Sequence, residues 1–152
     1  MDSEICAYCG EDAECLDHVI PYSYTSAVSS KKRKGGSDVG FKIPACSQCN
    51  SILSDKIFRN IVERKEYVHK RLRKILHRYN AVVQWDESEM AEMGWALRQA
   101  VEAQQARCVI ARDRLRYASA PPDAKWIRME IKWRESMNEE PSRCRDYLKV
   151  VA

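Results

Sequence analysis

Apolar side chains return every three or four positions along the middle of this chain: Ile57, Ile61, Val68, Leu72, Ile75, Leu76 and Tyr79. That spacing places one apolar stripe on an α-helix and predicts a helix from about Ser47 or Ser51 to about Tyr79. The opposite face is basic, with nine Lys and Arg against three acids in residues 54–80. A solvated outer face fits that charge, and so does a helix laid along a DNA backbone. A second helix is predicted over about 87–117. There Met90, Gly94, Leu97, Val101, Gln104, Cys108, Ala111 and Leu115 alternate by four and three, like a short helix–helix seam. Gly94 and Gln104 interrupt the seam and favour packing within the chain over a free-standing coiled coil. A homodimer through the C-terminal helices is the alternative use of the same residues. Pro121 and Pro122 break the chain, and a third helix is expected from about Asp123 to Met137. Its stripe of Trp126, Met129, Trp133 and Met137 reads as core or interface.

The first fifty residues follow a different pattern. Residues 5–20 read as a cysteine knuckle and a short strand ending near Asp17 and His18, after which Pro21 stops regular pairing. Residues 40–46, GFKIPAC, read as a second strand feeding a second knuckle. The intervening loop carries Lys31, Lys32, Arg33 and Lys34 beside Gly35 and Gly36. Four adjacent cations next to two glycines suit a basic finger that binds DNA phosphates, and a solubilising loop tip has the same composition. The expected fold class is α+β: a small metal-stapled core in residues 1–60, then a predominantly α-helical part in residues 61–152.

Composition narrows the function classes. The 152 residues carry a net charge of +4, but the first thirty hold six acids and no Lys or Arg. The remaining 122 residues hold 26 cations against 16 acids, a net of +10. A basic body beside an acidic segment is the footprint of a polyanion binder with a localised metal or acid site. No run of about 18 apolar residues exists, so no transmembrane helix and no membrane partner are expected. Asp2 and Glu4, with no apolar stretch behind them, do not read as a secretory signal, which makes a reducing cytoplasm the expected location.

Seven cysteines is an odd number and argues against a complete disulfide framework. Cys6 and Cys9 form one C-x2-C pair, and Cys46 and Cys49 form another. Each such turn aims two thiolates at one point, so two of them close a tetrahedral zinc site. That site staples a segment too small to hold itself together by burial. Cys15, Cys108 and Cys144 read as free thiols, with Cys15 near enough to the first knuckle to compete as a ligand.

Zinc would also bring Asp17 and His18 close to Asn50, the residue after the second knuckle. A carboxylate and an amide oxygen are hard ligands suited to Mg2+ or Mn2+ rather than zinc. An imidazole that titrates near neutrality can take a proton from water. Other readings of the same residues are a structural or zinc-ligating His18 and a helix-capping Asn50. Asp55 reads as a surface acid, and His69 and His77 are given no catalytic role.

This layout, C-x2-C, then Asp-His-x-x-Pro, a variable loop, then C-x2-C followed directly by Asn, resembles the zinc-stapled HNH (His-Me finger) endonucleases. Asn50 directly after the last cysteine looks like the recombination endonuclease VII branch and phage-type HNH proteins. The resemblance covers about residues 5–60. It implies a ββα-metal fold with a structural zinc on Cys6, Cys9, Cys46 and Cys49. It also implies His18 as general base and a catalytic Mg2+ or Mn2+ on Asp17 and Asn50 that stabilises the 3′ leaving oxygen of a DNA phosphodiester. Many members carry an Asn shortly before the second knuckle that orients the general base. Residues 37–43 contain none, which leaves Asp38 or a backbone carbonyl to substitute. A zinc-stapled DNA-binding or assembly protein with an inactive HNH core is the alternative function.

Overall fold

The computed structural model describes residues 4–20, 41–79 and 81–139. The expected DNA-binding loop residues Lys31, Lys32, Arg33 and Lys34, and also Cys144, lie outside the described residues.

Two short strands form the only sheet among the described residues. Strand β1 (Cys15–His18) pairs antiparallel with β2 (Lys42–Ala45), with Cys15 opposite Ala45, Asp17 opposite Ile43 and His18 opposite Lys42. An isolated bridge between Ile5 and Asp12 closes the first knuckle. Pro44 has no N–H to donate, and its carbonyl accepts from Ala7 N at 2.9 Å, tying that knuckle to β2.

The single helix expected from Ser47 to Tyr79 is two helices. Helix α1 (Ser47–Leu53) stops at Ser54, whose φ of 48° is left-handed. Helix α2 (Ile61–Leu76) starts afresh at Asn60, whose side chain accepts from Glu63 N at 2.9 Å, and a 3-10 turn over His77–Tyr79 ends it. The Glu63 carboxylate accepts in turn from Arg59 N at 2.8 Å. An interior Asn that can accept from the next turn's N–H is a start signal, and here it overrides the apolar periodicity.

The second expected helix is divided as well. A capping box between Asp86 and Glu89 opens α3 (Glu87–Ala91), and Gly94 precedes α4 (Trp95–Ser119). Helix α5 (Ala124–Glu139) agrees with the third expectation. The seam packs only in its second half. Cys108 and Ala111 are buried and Leu115 is partly so, whereas Leu97 and Trp95 are exposed.

One hydrophobic cluster links the knuckles and strands to helices α1, α2, α4 and α5. It joins Tyr8, Ile43, Ala45 and Leu53 to Ile61, Val68, Leu72 and Leu76 of α2, Ala111 and Ala118 of α4, and Trp126 of α5. The α+β class is thus as expected, with helices packed around a two-stranded, cysteine-rich start. Polar contacts fix the joints. Glu130 of α5 is buried and accepts from Ile61 N at 3.0 Å, placing a carboxylate at the positive end of α2. The expectation that the cations of α2 line its outer face fails at two places. Arg64 and Lys65 are 1% and 3% exposed and fill the gap in the apolar stripe between Ile61 and Val68.

Candidate metal centre and the His18 face

The two cysteine knuckles meet. Sγ of Cys6, Cys9, Cys46 and Cys49 all lie within 4.8 Å of one another, and all four residues are buried. A tetrahedral zinc with bonds of about 2.3 Å sets its sulfurs about 3.8 Å apart. The Cys9 and Cys46 sulfurs stand at 3.7 Å. The four thiols therefore fit a metal such as zinc as they stand.

Crowding splits their acidity. The Cys46 thiol is pushed down to about 6, chiefly by its bond with Cys49, and Cys6 is pushed down chiefly by Cys46. Cys9 and Cys49 are pushed up, each chiefly by its bond with Cys46. A metal ion binds thiolates, so occupying the site would need all four thiols deprotonated. Local structure places each sulfur: Cys46 caps α1, accepting from Cys49 N at 3.4 Å, and Gly10 turns the first knuckle with a φ of 78°. Cys15 does not join the four as a competing ligand, and its thiol donates to the Ala45 carbonyl at 3.2 Å.

Asp17 and His18 face opposite ways, as neighbours on a strand must. His18 is exposed, and its ring has no hydrogen-bond partner among the described residues. Asp17 turns inward and is 2% exposed. Its Oδ2 accepts from Tyr8 Oη at 2.5 Å and from Arg64 Nε and Nη2 at 3.1 and 2.9 Å, while Oδ1 accepts from Nη2 at 2.9 Å. Arg64 Nη1 also donates to the Val19 and Lys56 carbonyls at 3.3 Å each. Burial works against the Arg64 charge, but Tyr8 and Asp17 outweigh it and hold its pKa above the ordinary arginine value. Burial and the Asp17 charge push the Tyr8 phenol well above its ordinary 10.

A catalytic divalent cation on Asp17 and Asn50 does not fit this arrangement. The guanidinium occupies both carboxylate oxygens, and a dication there would have to displace a buried cation already paired with them. Asn50 lies inside α1, not at its cap, and its half-buried side chain has no hydrogen bond among the described residues. Helix α1 packs on β1, so Asn50 and the β1 hairpin share one region of the fold. Asp55 is exposed, as expected of a surface acid.

A second polar feature lies on α2. Lys70, Arg73, Lys74 and His77 line a cavity of about 470 Å³. Lys70, Arg73 and Lys74 form no ion pair among the described residues. Sequence reasoning did not single out this group, nor Tyr8, Arg64, Lys65 and Arg114. A signal existed for two of them: residues 64 and 65 occupy the stripe position that no apolar residue fills. None of the described helices is long and apolar enough to cross a membrane. Compared with protein-family models, curated proteins and solved structures, the chain matches none of them.

Proposed function

We propose that this protein is a DNA endonuclease that hydrolyses phosphodiester bonds, with His18 as the general base and a zinc on Cys6, Cys9, Cys46 and Cys49 as its staple. The observation that carries the reading is the placement of His18. It ends a strand anchored beside a four-cysteine cluster, presents an exposed ring, and belongs to a hairpin packed against the helix that bears Asn50. The imidazole there can take a proton from water as the water oxygen bonds to phosphorus and the bond to the 3′ oxygen breaks, the leaving oxygen taking its proton from solvent. The cations Lys70, Arg73 and Lys74, which line one hollow of α2, supply backbone contacts, so positioning on phosphates outweighs base reading. No step is assigned to a divalent cation on Asp17, whose carboxylate serves Arg64 and Tyr8.

That same engagement of Asp17 favours a second reading, in which the fold binds DNA or a protein assembly without cutting. Plasmid nicking separates the two, using wild type and His18→Ala with Mg2+, Mn2+ or chelator, after both proteins are matched for bound zinc. Nicking by wild type that is lost in His18→Ala supports the nuclease, and its response to Mg2+, Mn2+ or chelator tells whether a cation takes part. DNA binding by both with cleavage by neither supports the binding module.

A further inference from the structure

The four-thiolate centre is not surrounded only by its own knuckles. Helix α4 reaches it from more than a hundred residues along the chain. Arg114 Nη2 points at two of the sulfurs, 3.6 Å from Cys9 Sγ and 4.0 Å from Cys46 Sγ. One turn on, Tyr117 lies against the knuckle glycine so closely that a Cβ on Gly10 would meet its ring at 2.9 Å. Lys65, almost fully buried on α2, stands 4.4 Å over the Tyr117 ring and donates to the Pro121 carbonyl at 3.3 Å.

Charge explains why cations gather here. A zinc with four thiolates carries a formal charge of −2, buried where solvent screens it poorly. Hydrogen bonds from outside the ligand set draw electron density from the sulfurs and hold them in place. Arg114 is built for such a task, with several N–H donors in a fixed fork and a charge it does not lose. Its Nε is buried with no hydrogen-bond partner among the described residues, while Nη2 at the other end of the fork faces the sulfurs.

We propose that Arg114 is an outer-shell positioning residue of the metal centre, bridging the Cys9 and Cys46 thiolates and making the charged centre the anchor that docks α4 on the knuckles. The inference rests on the four-thiolate metal site and is independent of any nuclease activity.

The test reads the metal directly. Full-length protein is loaded with Zn2+ or Co2+, and metal release to a competing chromophoric chelator is followed for wild type, Arg114→Gln, Arg114→Lys and the exposed control Arg116→Gln. Arg114→Gln is expected to release metal about tenfold faster or more. Arg114→Lys, which keeps the charge but not the fork, falls between, and Arg116→Gln matches wild type. In the Co2+ proteins the thiolate-to-metal charge-transfer band shifts with Arg114→Gln and not with Arg116→Gln. The smaller Arg114→Lys change keeps the test readable should Arg114→Gln fail to fold. Release rates and spectra of folded Arg114 variants equal to wild type would overturn the assignment. A wild type that takes up no metal would overturn the metal site and the assignment together.

Discussion

Arg64 of α2 and Asp17 of β1 form a two-pronged pair, Nε and Nη2 of the one reaching both carboxylate oxygens of the other at 2.9–3.1 Å with both side chains buried. The pair ties the hairpin to the longest run of the core and leaves neither charge in water. Removing one partner strands the other, which costs about 3–5 kcal/mol, whereas removing both costs far less. Arg64→Met and Asp17→Leu are each expected to lose that much in urea unfolding of the zinc-loaded protein. The double variant should show a coupling energy of about 3 kcal/mol. Strictly additive losses would show that the pair does not act as a unit.

Tyr8 makes this cluster sensitive to alkali. Its phenol donates to Asp17, and burial together with that carboxylate raises its pKa well above the ordinary 10. Above pH 10 the unfolded chain therefore loses this proton before the folded chain does. The folded state then binds more protons, and stability falls as pH rises. Below pH 10 the contribution is fully present. Stability measured from pH 8 to 11 should decline for wild type and decline less steeply for Tyr8→Phe. Equal slopes for the two proteins would remove Tyr8 as the cause.

The two knuckles, both strands and the third helix were legible in the sequence because each rests on short-range spacing: C-x2-C turns, a few β-prone residues, a stripe of tryptophans. The breaks inside the first two predicted helices were not, because Asn60 and Gly94 sit within apolar periodicity that continues past them. Grouping Asp17 with His18 as one site overlooked strand alternation, which sends adjacent side chains to opposite faces. What fills the inward face, Arg64, comes from 47 residues away, and a cation in a core stripe is legible only as a gap in that stripe. Arg114 carries no local mark at all, since its partners, Cys9 and Cys46, lie 105 and 68 residues from it.

Metal removal tests the staple. The first knuckle and the hairpin contribute few large apolar side chains, so a bound ion supplies folding free energy that burial does not. Chelation, or Cys9→Ser, is expected to abolish the protection of the β1–β2 amides in hydrogen exchange. Cys15→Ser, which removes only a thiol bonded to the Ala45 carbonyl, should keep one metal and the same protection. Retained protection in metal-free protein would mean that the segment folds without its ion.

Gly10→Ala combines two costs at one position. An L-residue at a φ of 78° is strained by about 1–2 kcal/mol, and the added methyl must also push the Tyr117 ring away. The expected loss exceeds about 1 kcal/mol. It should fall when Tyr117→Ala removes the clash, to leave the backbone strain alone. A Gly10→Ala variant as stable as wild type would contradict the close approach of α4 to the knuckle.

The cavity on α2 gives the DNA reading a quantitative test. Arg73 and Lys74 lie three and four residues on from Lys70 and line one hollow with it and His77. Three cations with no ion pair among the described residues repel each other on one concave surface, and a polyanion relieves that repulsion while releasing its counterions. Each phosphate contact steepens the dependence of log K on log salt by about 0.9. Replacing all three with Gln should weaken duplex binding at low salt and flatten the slope by about 2–3, with little effect on stability because the side chains do not belong to the core. The loss should be similar for unrelated DNA sequences, since phosphates carry no sequence information. An unchanged slope would mean that DNA, if bound, lies elsewhere on the molecule and that this face is only solvated.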